Sequence, residues 1–480
     1  MEYEKKVRLR NRIVDAVVFI VLLAGVSAVT LVLFYRQTMG NPGYYHSDMK
    51  AYILEMQGLE SGYQFPYPIF FKLGALIHLF APPELSVAIA TMLLNSLGMI
   101  VTKLAFNHLT LRVLEDGLRL RQNSKKSGKD LQDKRLQQGG PAEIKHFERS
   151  SDIARNSDIV RSSEAAGRSD RSWLAGIMIS IVVICLFFVS MLYPPSGIYL
   201  PGIRFIYLGV FTANPFHNAT FMAARPFAVL AFLWYVKLLS VYEEGVHRVA
   251  DYVLFAVFLL LATMTKPSFT LVMVSTAGLI MLYRLFRTKF RNFIPTVQLG
   301  LCFVPTFLDL LYQFRGVFVP VEGEEGGLGF CFGEVWMQYT SNIVLAVGLA
   351  VGFPLLVLVL NYKECRKNTT LCFSWQFYLV SFAEAFFLYE KGFRKFDFNF
   401  SWGYMYGIFF CHFCALLLLV RKTAEMMCGR AGLGTTGSVQ GSGNVGISIM
   451  LLAVQWLAFF SHVVCGLFYF KTIFGGAMYY

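Results

Sequence analysis

Asp48 is the acidic residue of this sequence that is best placed to act as a general base. It follows the first long apolar run, in the stretch YYHSDMKAYILEM, with His46 as its nearest polar partner. A carboxylate there can take the proton of a hydroxyl group, which typically speeds a reaction by ~10²–10⁴-fold. The stretch also allows a structural role, because Ser47 or Asp48 directly before an apolar helical pattern is a favoured helix N-cap.

Three basic residues, Arg225, Lys266 and Arg394, lie at the extracytoplasmic ends of apolar segments that are predicted below to span a membrane. Arginine forms paired hydrogen bonds with phosphate oxygens and lysine acts as a point charge, so together they could hold a lipid-linked phosphate. Snorkelling of long basic side chains to lipid headgroups is the structural alternative. Lys266 is the strongest candidate because Pro267 follows it, and a helix that breaks there leaves backbone groups that favour a polar lining.

Further polar residues could contact a sugar or a phosphate. His217 and Asn218 occur in NPFHNAT, which is equally typical of a polar turn before a helix. Asn399 and Trp402 occur in GFRKFDFNFSWGY, where the amide could hydrogen-bond a sugar and the indole could stack on its ring. Tryptophan in the interfacial belt of a membrane protein is the commoner situation. Glu384 lies within an apolar segment, where a carboxyl group is expected to be protonated or paired, with Arg394 as the candidate partner.

No metal site and no cofactor are predicted. Cys411 and Cys414 form a single CxxC within an apolar segment, whereas a structural zinc site needs a second pair of ligands. The acidic stretch VEGEEGG is more typical of a solvated loop than of a cation site.

The composition indicates the class of protein to which these residues belong. The chain has 480 residues, of which 56% are hydrophobic and only 15% are charged, against about 25% charged residues in a soluble domain. Many apolar runs approach the ~20 residues needed to cross a bilayer. A soluble enzyme, a disulfide-rich secreted domain and a disordered protein are therefore excluded, and an all-α polytopic integral membrane protein is predicted.

About eleven transmembrane helices are predicted, with the N-terminus in the cytoplasm and the C-terminus outside. The spans lie near residues 13–35, 84–108, 173–193, 219–240, 251–265, 267–284, 294–313, 341–361, 370–389, 402–420 and 447–470. The span at 251–265 is short, so a break is expected at Lys266-Pro267. The segment 68–80 is too short to cross comfortably, and we expect an amphipathic helix at the outer surface there.

The distribution of charge supports this orientation. The net charge of +13 comes from basic residues in the predicted cytoplasmic loops, as is usual for the cytoplasmic face of a membrane protein. Anionic lipid headgroups account for this excess, so membrane lipid and not nucleic acid is the expected partner. The predicted location is the plasma membrane, or the endoplasmic reticulum membrane in a eukaryote, with the active face outside the cytoplasm.

Composition divides the chain into three parts. Residues 1–111 hold the first transmembrane segment and the outer loop that contains Asp48. Residues 112–172 are rich in Ser, Lys, Arg and Asp, and are predicted to be a disordered basic cytoplasmic loop. Residues 173–480 hold the remaining helices, with a Gly/Ser linker at 429–446.

The order of these features resembles the GT-C superfamily of polytopic membrane glycosyltransferases. The resemblance rests on YYHSDMKAYILEM, the FPYPIFFKL-like amphipathic segment, NPFHNATFMAARPFAVLAF, MTKPSF and GFRKFDFNFSWGY. It implies a polyprenyl-phosphate-linked sugar as donor, an active site on the extracytoplasmic side and a role for Asp48 in activating the acceptor. The family often has paired acidic residues in this loop, whereas here Ser47 precedes Asp48.

The resulting hypothesis is an inverting glycosyltransferase with a glycan, lipid or protein as acceptor. Asp48 would deprotonate the acceptor, and some of Arg225, Lys266 and Arg394 would stabilise the leaving phosphate. A transporter or flippase of a lipid-linked or small substrate is an alternative, although the sequence has no internal repeat of the kind that many transporters have. A polysaccharide polymerase or ligase of another multispanning family is the other alternative, although the later outer loops are short.

Overall fold

Helices make up most of the structure. The structure is a computed structural model that describes residues 2–39, 47–63, 65–136, 172–193, 211–246, 248–317, 326–392, 394–427 and 443–476. The helices are α1 Glu2–Met39, α2 Met49–Met56, α3 Pro68–His78, α4 Pro83–Leu136, α5 Ser172–Leu186, α6 Ala219–Leu239, α7 Val249–Thr265, α8 Ser268–Arg287, α9 Phe293–Leu301, α10 Val304–Val317, α11 Ile343–Ala350, α12 Gly352–Leu360, α13 Tyr362–Cys365, α14 Thr369–Phe387, α15 Ser401–Met427 and α16 Gly443–Phe474. Two short strands are β1 Leu328–Phe330 and β2 Leu388–Glu390.

Six helical segments among the described residues are long and apolar enough to cross a membrane. They are Leu9–Met39, Pro83–Thr110, Ala219–Leu239, Ser268–Arg287, Lys395–Met426 and Gly446–Phe474. Two further pairs, α9 with α10 and α11 with α12, are bent by 46° and 70° at short breaks, and counting each pair as one span gives eight. The protein is therefore of the polytopic helical membrane type. The other three predicted spans contain α5, α7 and α14, and their crossing remains a prediction.

Pro267 separates α7 from α8. Proline disfavours helical backbone in the residue that precedes it, and Lys266 accordingly has an extended conformation with φ −164° and ψ 119°. α7 therefore ends at Thr265, and α8 begins at Ser268. The break predicted at Lys266-Pro267 is confirmed.

Two short helices, α2 and α3, follow α1. α2 begins directly after Asp48, and α3 has Pro68 in its first turn, where the missing proline N–H costs no helical hydrogen bond. α3 packs against α2 and α7. A side chain at Gly74 of α3 would meet the sulfur of Met56 of α2, so glycine lets these two helices approach closely. The helix predicted after the first span is present, and its place at the membrane surface remains a prediction.

β1 and β2 form one antiparallel pair, with Leu328 opposite Glu390 and Phe330 opposite Leu388. β2 follows α14 directly, so this pairing fixes the direction in which the chain leaves that helix. Phe330 also stacks on Phe387, with 5.3 Å between the ring centroids. The strand pair thereby positions Glu390 at the start of the segment that contains Arg394.

The chain separates into two compact units. The first consists of Met1–Leu22, Lys103–Val182 and Leu417–Met450. The second consists of Leu23–Thr102, Val183–Leu416 and Leu451–Tyr480. Every candidate site residue that the structure describes belongs to the second unit.

A buried ion pair lies within the first unit. Lys103 Nζ is 2.8 Å from Asp15 Oδ1 and also donates a 3.0 Å hydrogen bond to the carbonyl oxygen of Gly176. The Ser180 hydroxyl donates to the same Asp15 oxygen at 2.7 Å. A buried charge among apolar helices is costly unless it is paired and hydrogen-bonded, and these contacts meet that requirement.

The segment predicted as a disordered loop, 112–172, is described only in part. α4 continues to Leu136 and therefore extends into this segment as helix. Residues 137–171, and residues 428–442 with most of the predicted Gly/Ser linker, lie outside the described residues.

Candidate functional site

The carboxylate of Asp48 is held by side chains from α2 and from the start of α6. The hydroxyl group of Tyr52, one helical turn along, donates to Asp48 Oδ2 at 2.9 Å. The amide of Asn218 donates to the same oxygen at 3.2 Å. Asp48 Oδ1 accepts no hydrogen bond from the described part of the chain. Asp48 therefore has one oxygen fixed by donors and a second oxygen able to accept a proton.

Asn218 has both a structural and a positioning role. It is the N-cap of α6, and its Oδ1 accepts a 3.0 Å hydrogen bond from the backbone N–H of Phe221. The Thr220 hydroxyl donates to the same Oδ1 at 3.0 Å. Because the carbonyl end of the amide caps the helix, its NH₂ group must point away from the helix, towards Asp48. The cap therefore determines which donor faces the carboxylate.

Lys266 places a buried ammonium group in the same cluster. Its side chain is 3% exposed, and Nζ donates to Thr220 Oγ1 at 3.3 Å and to the Tyr67 hydroxyl at 3.4 Å. Nζ also lies 4.7 Å from the ring centroid of Trp402, a distance typical of a cation–π contact. Within the described residues Lys266 forms no ion pair with a carboxylate. The direct contacts of its ammonium group are therefore with hydroxyl groups and aromatic rings.

Burial lowers the pKa of Lys266 to about 8, with Asp48 opposing this change and Arg394 adding to it. The ammonium form therefore predominates at pH 7 and is lost as the pH rises through 8. A desolvated ammonium group without a carboxylate partner favours an anion nearby.

Aromatic rings of the segment before α3 and of the first turn of α3 form one wall of the cluster. Tyr63, Phe65, Tyr67 and Phe71 stack in turn, with centroid distances of 5.4, 5.5 and 6.1 Å. Tyr52 meets the ring of Phe65 edge-on at 4.9 Å. Burial first and Asp48 second raise the pKa of the Tyr52 and Tyr67 phenols. Both hydroxyl groups therefore stay protonated and serve as hydrogen-bonding groups.

We refer to Asp48, Tyr52, Tyr67, Asn218, Thr220, Lys266 and Trp402 as the Asp48–Lys266 cluster. His217 borders it, with its ring centroid 5.5 Å from that of Trp402 and its Nδ1 3.4 Å from the Tyr469 hydroxyl. Burial, and then the charge of Lys266, lower the pKa of His217 to about 3. His217 is therefore neutral at physiological pH and does not add a positive charge to the cluster.

Arg225 lies outside the Asp48–Lys266 cluster. Its guanidinium donates to the carbonyl oxygen of Ala213 at 2.8 Å and lies 5.1–5.3 Å from the ring centroids of Phe187, Phe221 and Phe409. Phe221 contacts both Arg225 and Trp402, so an aromatic layer adjoins both cations. The predicted direct role of Arg225 beside Lys266 has no support in these contacts.

Arg394 and Asn399 belong to a second cluster with acidic residues. Arg394 Nε is 3.4 Å from both Glu390 and Asp397, and Asn399 donates to Glu390 at 2.9 Å. Asp48, Glu390 and Arg394 all affect the pKa of Tyr67, which shows that the two clusters are close enough to interact electrostatically. Arg394 is therefore a partly neutralised cation at the edge of the Asp48–Lys266 cluster.

Glu384 forms no ion pair with Lys266 or Arg394 within the described residues. It is near Ser275 of α8, and one of its carboxylate oxygens is 3.9 Å from the position that a Cβ atom would take at Gly403. The contacts of Arg394 are with Glu390 and Asp397, so Glu384 is not its partner.

The structure thus brings four of the predicted site residues into contact, Asp48, Asn218, Lys266 and Trp402, with His217 beside them. His46 lies outside the described residues. Sequence reasoning did not identify Tyr52, Tyr67 or Thr220. Tyr52 could have been found from its i,i+4 spacing to Asp48 on a predicted helix, whereas no sequence signal indicates that Tyr67 or Thr220 contacts Lys266.

Within the described residues, no group of three or more His, Cys, Asp and Glu side chains is arranged to hold a metal ion. Cys411 and Cys414 are buried free cysteines of α15. The Asp48–Lys266 cluster itself offers a carboxylate, an ammonium group and several hydroxyl groups.

No protein-family model matches this chain, and no curated protein or solved structure matches it. The function proposed below is therefore argued from the geometry of the site and from the sequence.

Proposed function

We propose that this protein is a polytopic membrane glycosyltransferase of the GT-C kind. Its donor is a polyprenyl-phosphate sugar, and its acceptor is a glycan, a lipid or a protein on the extracytoplasmic side. One observation carries the proposal: a carboxylate with a free oxygen and a buried ammonium with no carboxylate partner share a single hydrogen-bonded cluster. Such a cluster provides a proton acceptor for an attacking hydroxyl group and a positive charge for a leaving phosphate.

The reaction requires one proton transfer and one displacement. Asp48 takes the proton of the acceptor hydroxyl as its oxygen attacks the anomeric carbon of the donor sugar. The new bond joins that oxygen to the anomeric carbon, and the bond from the same carbon to the phosphate oxygen breaks. The polyprenyl phosphate leaves with the electron pair, and Lys266 stabilises its charge. Attack on the side opposite the phosphate inverts the configuration of the sugar.

Other residues position these groups. Tyr52 and Asn218 orient the Asp48 carboxylate, so that its unbonded oxygen faces the acceptor. Trp402 offers an indole face beside Lys266 on which a sugar ring can stack. Arg394 and Asn399, which both bond Glu390 at the edge of the cluster, would contact the sugar hydroxyls or the phosphate. His217, which is neutral, can donate or accept one hydrogen bond there.

The orientation of α6, α7 and α8 supports more membrane spans than the eight that length and hydropathy give. The starts of α6 and α8 meet where Lys266 contacts Thr220, and their ends meet where Arg284 Nη1 donates to the carbonyl oxygen of Leu239. α6 and α8 therefore run parallel, and α7 must return along them from the end of one to the start of the other. α14 likewise starts beside the end of α8, so we propose that α7 and α14 cross the membrane too. α5 makes the eleventh span, which we propose from its apolar sequence, SWLAGIMISIVVICL.

The test uses the purified full-length protein with polyprenyl-phosphate glucose and polyprenyl-phosphate mannose, in the presence of a total lipid extract as acceptor. Release of polyprenyl phosphate is the measured quantity. We expect Asp48→Asn to reduce release at least ~100-fold, while the variant binds polyprenyl phosphate as the unaltered protein does. Lys266→Met, in contrast, should weaken the binding of polyprenyl phosphate.

Glu60→Gln is the matched control, because Glu60 is an exposed carboxylate in the segment that follows α2. It should release polyprenyl phosphate at the unaltered rate. Full activity of Asp48→Asn, or failure of the unaltered protein both to release and to bind polyprenyl phosphate, would rule out the proposal.

A transporter or flippase is the second candidate, because one observation favours it. The Asp15–Lys103 ion pair lies within two candidate spans, and paired charges at membrane depth are typical of substrate or proton pathways. Flux of a lipid-linked sugar into proteoliposomes without sugar transfer, and its loss in Asp15→Asn, would favour this candidate.

A further inference from the structure

A cavity of about 630 Å³ lies between α8 and α14. Its volume falls within the ~300–1,000 Å³ that is usual for ligand pockets. Its walls combine apolar side chains, such as Leu279, Tyr283 and Leu379, with a group of basic residues at one end. None of these residues belongs to the Asp48–Lys266 cluster.

The basic residues of the cavity are largely free of carboxylate partners. Arg287, Arg366 and Lys367 are exposed, and their side chains form no ion pair or hydrogen bond within the described residues. Arg284 is the exception, because its Nη1 is 3.7 Å from Glu243 Oε1. Three unpaired cations around one cavity attract an anion, and the planar guanidinium groups are suited to phosphate oxygens.

The apolar side chains of the cavity are exposed at the protein surface. Leu279, Tyr283 and Leu379 are each about 60% exposed, on the faces of α8 and α14. α8 is one of the candidate spans, so its exposed apolar residues would face lipid. The cavity is therefore polar and cationic at one end and apolar along its side, which matches the shape and polarity of a lipid with an anionic headgroup.

The cavity lies at the opposite end of the helices from the Asp48–Lys266 cluster. Asn218 and Lys266 lie at the starts of α6 and α8, whereas the cavity is lined by Leu239 and Arg287 at their ends. With 21 and 20 residues at 1.5 Å per residue, these helices are about 30 Å long, which is the thickness of the bilayer core. A lipid in the cavity therefore cannot be the donor that reacts at Asp48.

We infer that this cavity binds an anionic glycerophospholipid, with its phosphate between Arg287, Arg366 and Lys367 and an acyl chain along Leu279, Tyr283 and Leu379. Basic pockets between membrane helices on the cytoplasmic side are suited to anionic headgroups, and the sequence predicts that this end of α8 faces the cytoplasm. The inference is independent of the reaction proposed for the other end of the molecule.

The experiment measures lipid binding to the full-length protein by native mass spectrometry, in micelles that contain phosphatidylglycerol and phosphatidylcholine. The unaltered protein should retain phosphatidylglycerol in preference to phosphatidylcholine. Arg287→Gln with Arg366→Gln should weaken phosphatidylglycerol binding by about 30-fold, since each basic residue near anionic lipid contributes roughly fivefold.

Two further variants separate a built site from general surface charge. Arg248→Gln with Lys363→Gln removes the same charge from exposed positions that do not line the cavity, and it should leave binding unchanged. Gln376→Trp fills the cavity without altering its charge, and it should weaken binding. Equal losses in the two double variants, or no effect of Gln376→Trp, would overturn the inference. Displacement of phosphatidylglycerol by 10-fold excess inorganic phosphate would show that the site takes free phosphate and would equally overturn it.

Discussion

Asp48 occupies the N-cap position of α2, yet its side chain makes no hydrogen bond to the backbone of that helix. The carboxylate is instead bonded to Tyr52 and Asn218. At the start of α6 the reverse holds, because Asn218 does cap its helix through its side chain. Replacing an N-cap residue by alanine usually lowers stability by ~0.5–2 kcal/mol. The Asp48 side chain does not stabilise α2 in this way, because it makes no capping hydrogen bond. A residue in a capping position whose side chain is directed to other polar groups is well suited to a role in binding or catalysis.

The charge of Lys266 gives the first prediction of this Discussion. Because burial lowers the pKa of Lys266 to about 8, the ammonium form predominates at pH 7 and falls to roughly a tenth by pH 9. A phosphate monoester has its second pKa near ~6 and changes its charge little over this range. Binding of polyprenyl phosphate, followed by fluorescence titration, should therefore weaken about tenfold from pH 7 to pH 9.

Lys266→Arg is the matched variant for the pH series, because a guanidinium stays protonated at pH 9. Its affinity, whatever its value at pH 7, should be nearly constant across the series. A parallel decline in both proteins would assign the pH dependence to another group.

Some of the site could be read from the sequence because its causes are local. Pro267 forces Lys266 out of the helix, so the break and its lysine were predictable from two adjacent residues. The contact of Asp48 with Asn218, in contrast, joins residues 170 positions apart and depends on how α2 packs against α6. Arg225 shows the same limit: its position near a helix start was predictable, but its aromatic surroundings were not.

At the scale of elements, close helix contacts depend on glycine at particular positions. A Cβ atom at Gly466 of α16 would overlap the carbonyl oxygen of Phe188, which is backbone and cannot rotate away. Nearby, His462 of the same helix bonds Ser190 O at 2.6 Å and accepts the N–H of Phe353 at 3.0 Å, directly after the 70° bend between α11 and α12. His462 of α16 therefore supplies hydrogen-bond partners to two irregular backbone segments, one at Ser190 and one at Phe353. Backbone polar groups that lie among apolar helices need such partners.

Gly466→Ala should therefore destabilise the protein, by about 2 kcal/mol or more, because α16 must move away from Phe188 and strain the contacts of His462. Gly446→Ala is the control in the same helix, since a Cβ atom there meets nothing within 4 Å. The control should be neutral or slightly stabilising, by up to ~1 kcal/mol. Thermal unfolding in detergent gives the comparison, and equal midpoints for the two variants would contradict the close contact.

At the scale of the whole molecule, the Asp48–Lys266 cluster and the cavity lie at opposite ends of the same helices. α6 and α8 start at the Asp48–Lys266 cluster and end at the basic cavity, and α7 and α14 run in the opposite direction between the same ends. The sequence predicted long apolar helices because their length is set by the thickness of the bilayer. It could not indicate which helix ends meet, because neighbouring helices in a membrane are all similarly apolar.

This arrangement predicts opposite membrane faces for four exposed positions. Cysteine at Glu60 or Lys391, near the Asp48–Lys266 cluster, should react with a membrane-impermeant maleimide in intact cells. Cysteine at Arg248, before the start of α7, or at Lys363, before the start of α14, should react only after permeabilisation. The native cysteines are replaced beforehand, and labelling of all four positions in denaturant serves as the control. Reaction of Glu60→Cys and Arg248→Cys from the same side would mean that α6 does not cross the membrane, and the separation of the two sites by the bilayer would then be wrong.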